Sequence, residues 1–336
     1  MMHQIAQPEK QVLAGPENGG MMQLERGSAA VAPDLPPAYQ VDFRSPAGEP
    51  GLVPPGSVQW RVFKNPIALG IGGVAAVLLE FADARIRSGV WDHSIYKVDP
   101  IGRSQRTGMA AMVGVFGPAS AARRVIGGVN RMHRKVTGET PRGEAYRALD
   151  PELLDWVSAT AGYGFLEAYH RFVRPLTTAD RRRYYSDGEA VARLYGVEHP
   201  LTSDADFFAM LDALFPRFEA HPINREFLDI IQSGQAAPTI PKFLHRALAR
   251  AAVSLLPDKV RERMELGKEF DLTTRDRIAL KLAGRLADRI GSPHMPAWQA
   301  AERLGLPGRF AWLNPAAQQR LLARHGEILV QAEPAE

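Results

Sequence analysis

The 336-residue chain contains no cysteine. That excludes disulfides, thiol catalysis, iron–sulfur clusters and zinc sites built on thiolates. It also excludes a haem attached through C-x-x-C-H or ligated by thiolate, so any haem here would be non-covalent, with histidine as the natural protein ligand. The charges nearly balance: 41 Lys and Arg against 37 Asp and Glu leave a net charge of only +4, although the pI is near 9.4. So small and dispersed an excess speaks to solubility, and no nucleic-acid signature accompanies it. "DRRRYY" at 180–185 reads as the solvated side of a helix. The N-terminus "MMHQIAQPEK" has neither the basic start nor the apolar run of a secretory signal. The longest apolar stretch, "PIALGIGGVAAVLL" at 66–79, is too short for a transmembrane segment and reads as a buried helix. A cytoplasmic location is expected. No G-x-S-x-G elbow, P-loop or paired-carboxylate signature occurs, and no two histidines stand at zinc-ligand spacing.

Nine of the 26 prolines fall in residues 1–58. This segment reads as a disordered or wrapping arm, with "QWRVFKNP" briefly extended after it. From there to about residue 330 the pattern is helical. Asp99–Pro100, Asp150–Pro151 and Asn314–Pro315 look like N-caps followed by proline in the first turn. Thr178 with Asp180, Ser203 with Asp204 and Thr274 with Asp276 are further candidate starts. Gly117, Gly138 and Gly291 are candidate stops. Apolar residues recur at three and four: Leu153, Leu154, Val157 and Phe165; Phe207, Phe208, Leu211 and Leu214; Leu280, Leu282 and Leu286. No strand series, internal repeat or sustained heptad is visible. The expectation is an all-α fold, with residues 59–256 as one large helical domain and 257–336 as a C-terminal helical extension.

Three stretches could carry chemistry. In "VDPIGRSQRTGMAAMVGVFG", 98–117, a helix aligns Arg103, Thr107, Ala110 and Gly114 on one face. A cation and a hydroxyl thus precede a strip almost free of side chain, against which a flat ligand could lie. Gly102 and Gly108 each cost the helix about 1 kcal/mol relative to alanine, and close approach of a partner would offset it. Plain helix packing, with Arg103 and Arg106 reaching solvent, fits as well. In "PASAARRVIGGVNRMHRKVTG", 118–138, Val125, Val129, Met132 and Val136 form one stripe, and Ile126, Val129, His133 and Val136 an overlapping one. His133 then points to the apolar side, away from Arg123, Arg124, Arg131 and Lys135. A neutral imidazole in dry surroundings suits an axial iron ligand; a satisfied core histidine has the same pattern. His93 and His170 are secondary candidates. "GIGGVAA", 70–76, fits G-x-G-x-x-A and raises a nicotinamide-dependent oxidoreductase, but that needs a parallel βαβ unit the surrounding pattern does not offer.

"NPIALGIGGVAAVLLEFADARIRSGVWDHSIYKVDPIGRSQRT", "MHRKVTG", "YRALDPELLDWV" and "RPLTTADRRRYY" together resemble the family of latex-clearing rubber oxygenases and MpaB-type oxygenases, over residues 60 to 232. The resemblance implies a globin-like helical fold and haem b as cofactor. It implies His133, in "H-x-x-V-x-G", as the iron ligand. It places Arg103 and Thr107 beside the haem, to orient or polarise oxygen or to hold the haem edge, with Arg106 as a further cofactor contact. The rubber-cleaving members carry lysine where this chain has Arg106, and guanidinium stays protonated and does not readily ligate iron. A resting state closed by this position, and polyisoprene as substrate, are therefore not expected. The implied activity is oxygenation of an apolar, alkene-containing small molecule or lipid by dioxygen. A haem carrier or sensor, or a lipid-binding helical protein, is the alternative from another class.

Overall fold

The computed structural model describes residues 39–93, 99–235 and 242–332. Among the described residues there are fourteen α-helices and one two-stranded sheet, so the fold is all-α. As the missing βαβ context suggested, "GIGGVAA" is no nicotinamide loop: it lies inside α2 (Pro66–Phe81), and the only described sheet is an antiparallel hairpin.

The apolar run becomes that helix because Asn65 caps it. The Asn65 side chain accepts from the Ile67 and Ala68 amides and donates to the Gly284 carbonyl. α2 crosses α6 (Pro151–Phe172) at the centre of the molecule. Gly72 and Gly164 face each other there, and a Cβ on Gly72 would stand 2.6 Å from the Gly164 carbonyl oxygen. Backbone contact, not phosphate binding, accounts for this glycine. Trp156, Tyr163, Tyr169 and Phe172 of α6 are buried, with Tyr163 stacked on Phe207.

"QWRVFKNP", expected to be extended, is mostly helix. α1 spans Val58–Phe63, capped by Ser57, and buries Val58, Trp60, Val62 and Phe63. Core burial overrides the strand preference of its β-branched and aromatic residues. Residues 39–57 lie against the body: Phe43 and Val53 are buried. Arg303, at the end of α13 (Pro296–Arg303), donates to the carbonyls of Phe43, Glu49 and Phe116.

α3 (Ala84–His93) leads to α4 (Pro100–Phe116), capped by Asp99 as expected, and α5 (Ala119–His133) follows after a tight turn. α5 ends at His133, earlier than the valine stripe suggested. Val136 leaves the helix, Met132 is exposed, and Gly138 sits in β1 (Thr137–Glu139), paired with β2 (Ala145–Arg147), instead of stopping a helix. A Cβ on Gly138 would collide with the Tyr146 ring, which packs across the hairpin.

α7 (Thr178–Tyr195), α8 (Asp204–Leu214), α9 (Pro222–Ser233), α10 (Lys242–Val253) and α11 (Asp258–Arg263) complete the surround. In α7, Arg181 is turned inward to Asp204 and Glu167, while Arg182 and Arg183 are exposed. α12 (Thr274–Ala287) packs on α2, α6 and α10. Its Leu280 is buried, but Leu282 and Leu286 are exposed, contrary to the apolar stripe read from sequence; Phe208 on α8 is likewise outside the core. α14 (Pro315–Ala332) closes the chain. Among the described residues no helix is long and apolar enough to cross a membrane.

Candidate functional site

α4 and α5 form an antiparallel pair. Ala110 and Val113 pack against Ala121, Val125 and Val129. Arg103 and His133 lie at nearly equal chain distances from the Gly117–Pro118 turn, each about 20 Å along its helix at 1.5 Å per residue. The geometry of the hairpin therefore returns His133 to the level of Arg103. Their electrostatic coupling agrees: the Arg103 charge acts on the His133 imidazole.

Burial holds His133 below the ordinary histidine range, and Arg103 pushes in the same direction. The ring is therefore neutral at pH 7. Its Nδ1 is buried and has no hydrogen-bond partner among the described residues. Such an atom is costly in a merely structural histidine.

On α4, Arg103 is partly buried and Thr107 exposed. The Thr107 hydroxyl donates to the Arg103 carbonyl at 3.0 Å, a bond within its own helix turn. Arg106 is directed back to the Asp99 cap, 3.6 Å away, so its charge secures the helix start. The strip of small residues divides. Gly102 makes room for the Asp99 side chain, and Gly114 for Val191 of α7, where an added Cβ would stand 2.9 Å from the valine methyl. Ala110 packs on α5. Those three positions are helix packing and capping. Gly108 is different: it is exposed, and a Cβ there would meet nothing within 4 Å. No protein contact offsets its cost to the helix, and the flank beside Thr107 is open.

The sequence reading missed Glu80. It is the single charged residue of α2 and stands in its last turn. Thr160 of α6 donates to its carboxyl at 3.2 Å, and Arg103 acts on it electrostatically. The residue keeps partial exposure, yet protein surrounds the carboxyl, and desolvation pushes its pKa up to about 7 against both of those opposing influences. The negative end of the helix dipole acts in the same sense. A lone carboxylate ending an otherwise uncharged helix was the available signal. The charge of Arg103 thus acts on both Glu80 and His133.

The secondary histidines stand apart from this group. His93 Nε2 lies 3.1 Å from the Tyr146 hydroxyl, at the hairpin. His170 Nδ1 accepts the Leu176 amide and stabilises the turn between α6 and α7. Two surface hollows, one beside Asp42 and Arg124 and one beside Asp155 and His199, include none of Arg103, Thr107 or His133.

The residues fit a haem. A bare iron ion needs several protein ligands, and among the described residues no group of three or more His, Asp or Glu could hold one. A porphyrin supplies four ligands itself and asks the protein for one imidazole. The buried nitrogen of His133, with no hydrogen-bond partner among the described residues, meets that requirement.

No curated protein and no solved structure matches the chain significantly. A family model described as "ER-bound oxygenase mpaB/B'/Rubber oxygenase, catalytic domain" matches residues 60–289, a span holding α2 through α12 with Glu80, Arg103, Thr107 and His133. The chain belongs to this family of oxygenase catalytic domains.

Proposed function

We propose that the protein is a haem b-dependent oxygenase acting on an apolar, alkene-containing small molecule or lipid, with His133 as iron ligand. Family membership supplies the reaction class. The observation that supports the cofactor is the neutral imidazole of His133, with a buried nitrogen that has no hydrogen-bond partner among the described residues.

When bound, haem would supply the one-electron and dioxygen chemistry that no side chain of this chain offers. The protein supplies position, charge and a proton site. His133 offers a lone pair because desolvation and Arg103 keep it unprotonated. Arg103 is a fixed cation that favours negative charge developing on a nearby oxygen. The Thr107 hydroxyl becomes a donor to a ligand if its bond to the Arg103 carbonyl is released. Arg106, held by Asp99, keeps the first turn of α4 in place. Glu80, with a pKa of about 7, both takes up and gives back a proton near neutral pH, as general acid–base work requires. The substrate class comes from the resemblance, and the uncharged run Thr107–Gly108–Met109–Ala110–Ala111 is compatible with it.

Oxygen uptake by haem-loaded protein with a panel of alkenes tests the activity. Uptake is expected, and Arg103→Ala should slow it by about a hundredfold, the scale of losing one preorganised charge donor. A normal haem spectrum with no uptake for any alkene would favour a carrier or sensor and contradict the proposal.

A further inference from the structure

α12 has two unlike sides. Inward, Leu280 is buried and Gly284 lies against the Phe172 carbonyl, where a Cβ would stand 2.6 Å from the oxygen. Outward, Ile278, Leu282 and Leu286 are 55%, 63% and 61% exposed, and Ile290, in the turn that follows, is 51% exposed. Residues four apart stand one above another on a helix, so these form a continuous aliphatic row. Gly291 lies against the Trp312 ring, and the residue after that tryptophan, Leu313, is also exposed. Isolated exposed aliphatics need no explanation, but a contiguous row does.

The charges on this side share one sign. Arg277, Lys281, Arg285 and Arg289 are spaced at four, one position before each aliphatic residue, and all are exposed. None has an ion-pair or hydrogen-bond partner among the described residues. Both acids of the segment face inward: Asp276 pairs with Arg250 at 3.0 Å, and Asp288 with Lys64 and Arg174 at 3.4 and 3.0 Å. The solvent side of α12 therefore presents aliphatic and cationic groups and no carboxylate. A second copy docking through the same face would bring like charges together. A negatively charged lipid surface satisfies both rows, taking the aliphatic side chains at the acyl boundary and the cations at the headgroups.

We propose that the exposed face of α12 docks the protein reversibly on anionic bilayers, with the helix axis in the plane of the membrane. The inference is independent of the haem chemistry. It rests on the division of α12 into an inward side that uses up the acids and an outward side that keeps the aliphatics and the cations.

The test is co-sedimentation of the full chain with phosphatidylcholine vesicles, with and without phosphatidylglycerol, at two salt concentrations. Binding should be at least about tenfold tighter to the anionic vesicles and should weaken as salt screens it. The pair Leu282→Gln with Leu286→Gln, and separately Arg277→Gln with Arg285→Gln, should each lose about tenfold or more. Thermal unfolding should be little changed, because all four side chains are exposed. Equal binding to neutral vesicles, no binding, or variants that bind like the wild type would overturn the proposal. So would a dimer of the wild type that the leucine pair dissociates, since the face would then belong to a second copy.

Discussion

At the scale of single residues, Glu80 is the most informative side chain. Its folded pKa of about 7 lies above the ordinary carboxylate value of 4.5, because burial penalises the charged form. A group raised in this way stabilises the fold only while protonated. The wild type should therefore lose stability as pH rises from near 4.5 through about 7, then level off. The full shift corresponds to about 3 kcal/mol, an upper bound for a residue that keeps some contact with water. Glu80→Gln cannot ionise. Urea unfolding at pH 5 and pH 8 should show the variant gaining about 2 kcal/mol on the wild type between the two values. A gap that does not change with pH would remove Glu80 as a proton-handling group.

Within the element that carries the open flank, Gly108 separates two accounts of α4. The other small residues of the strip are used by the protein: Gly102 by the Asp99 cap, Gly114 by Val191, Ala110 by α5. Gly108 has open space where its Cβ would be. Gly108→Ala should raise the stability of the haem-free protein by about 1 kcal/mol, since nothing is crowded and the helix gains propensity. If a macrocycle lies on this flank, the same substitution should weaken haem retention. Thermal melts and haem titration of one variant read both effects. Gain in stability with unchanged haem affinity would place the ligand elsewhere.

Sequence legibility also differed from element to element. Asp99 and Asp150 were readable as caps because proline follows each directly. Where two threonines adjoin, the reading chose the wrong one: Thr177 caps α7 and Thr273 caps α12, since each has an aspartate three residues on. Ser203 works with Asp206, not Asp204, for the same reason. The hairpin at 137–147 was missed because its strands are only three residues each and Gly138 looked like a helix stop. Arg103, Thr107 and His133 are candidates on helical spacing and on the chain resemblance, both of which act within α4 and α5. Glu80 was not, since its meaning depends on Thr160 and Arg103, which reach it from distant parts of the chain. The exposure of Leu282 and Leu286 on α12 was not legible for the same reason: periodicity identifies an apolar face and does not say what covers it.

Across the whole molecule, segments far apart in sequence converge on the end of α4. Arg303 is buried and joins the Phe43, Glu49 and Phe116 carbonyls through its guanidinium. Hydrogen bonds from a charged donor contribute about 1.5–3 kcal/mol each, and the three share one side chain. Arg303→Met should destabilise the protein by about 3 kcal/mol and expose residues 39–57 to proteolysis. Denaturation with limited digestion checks this; a variant as stable and as resistant as the wild type would show that the arm is held by Phe43 and Val53 alone.

The proposed function stands on His133 holding the iron of a haem. The most direct measurement is the pyridine haemochrome content of wild type and His133→Ala, both expressed with haem supply and both shown by circular dichroism to be helical. About one haem per chain is expected in the wild type and little in the variant, as follows when a single imidazole is the protein ligand. Equal haem content in the two proteins, or none in the wild type, would contradict it.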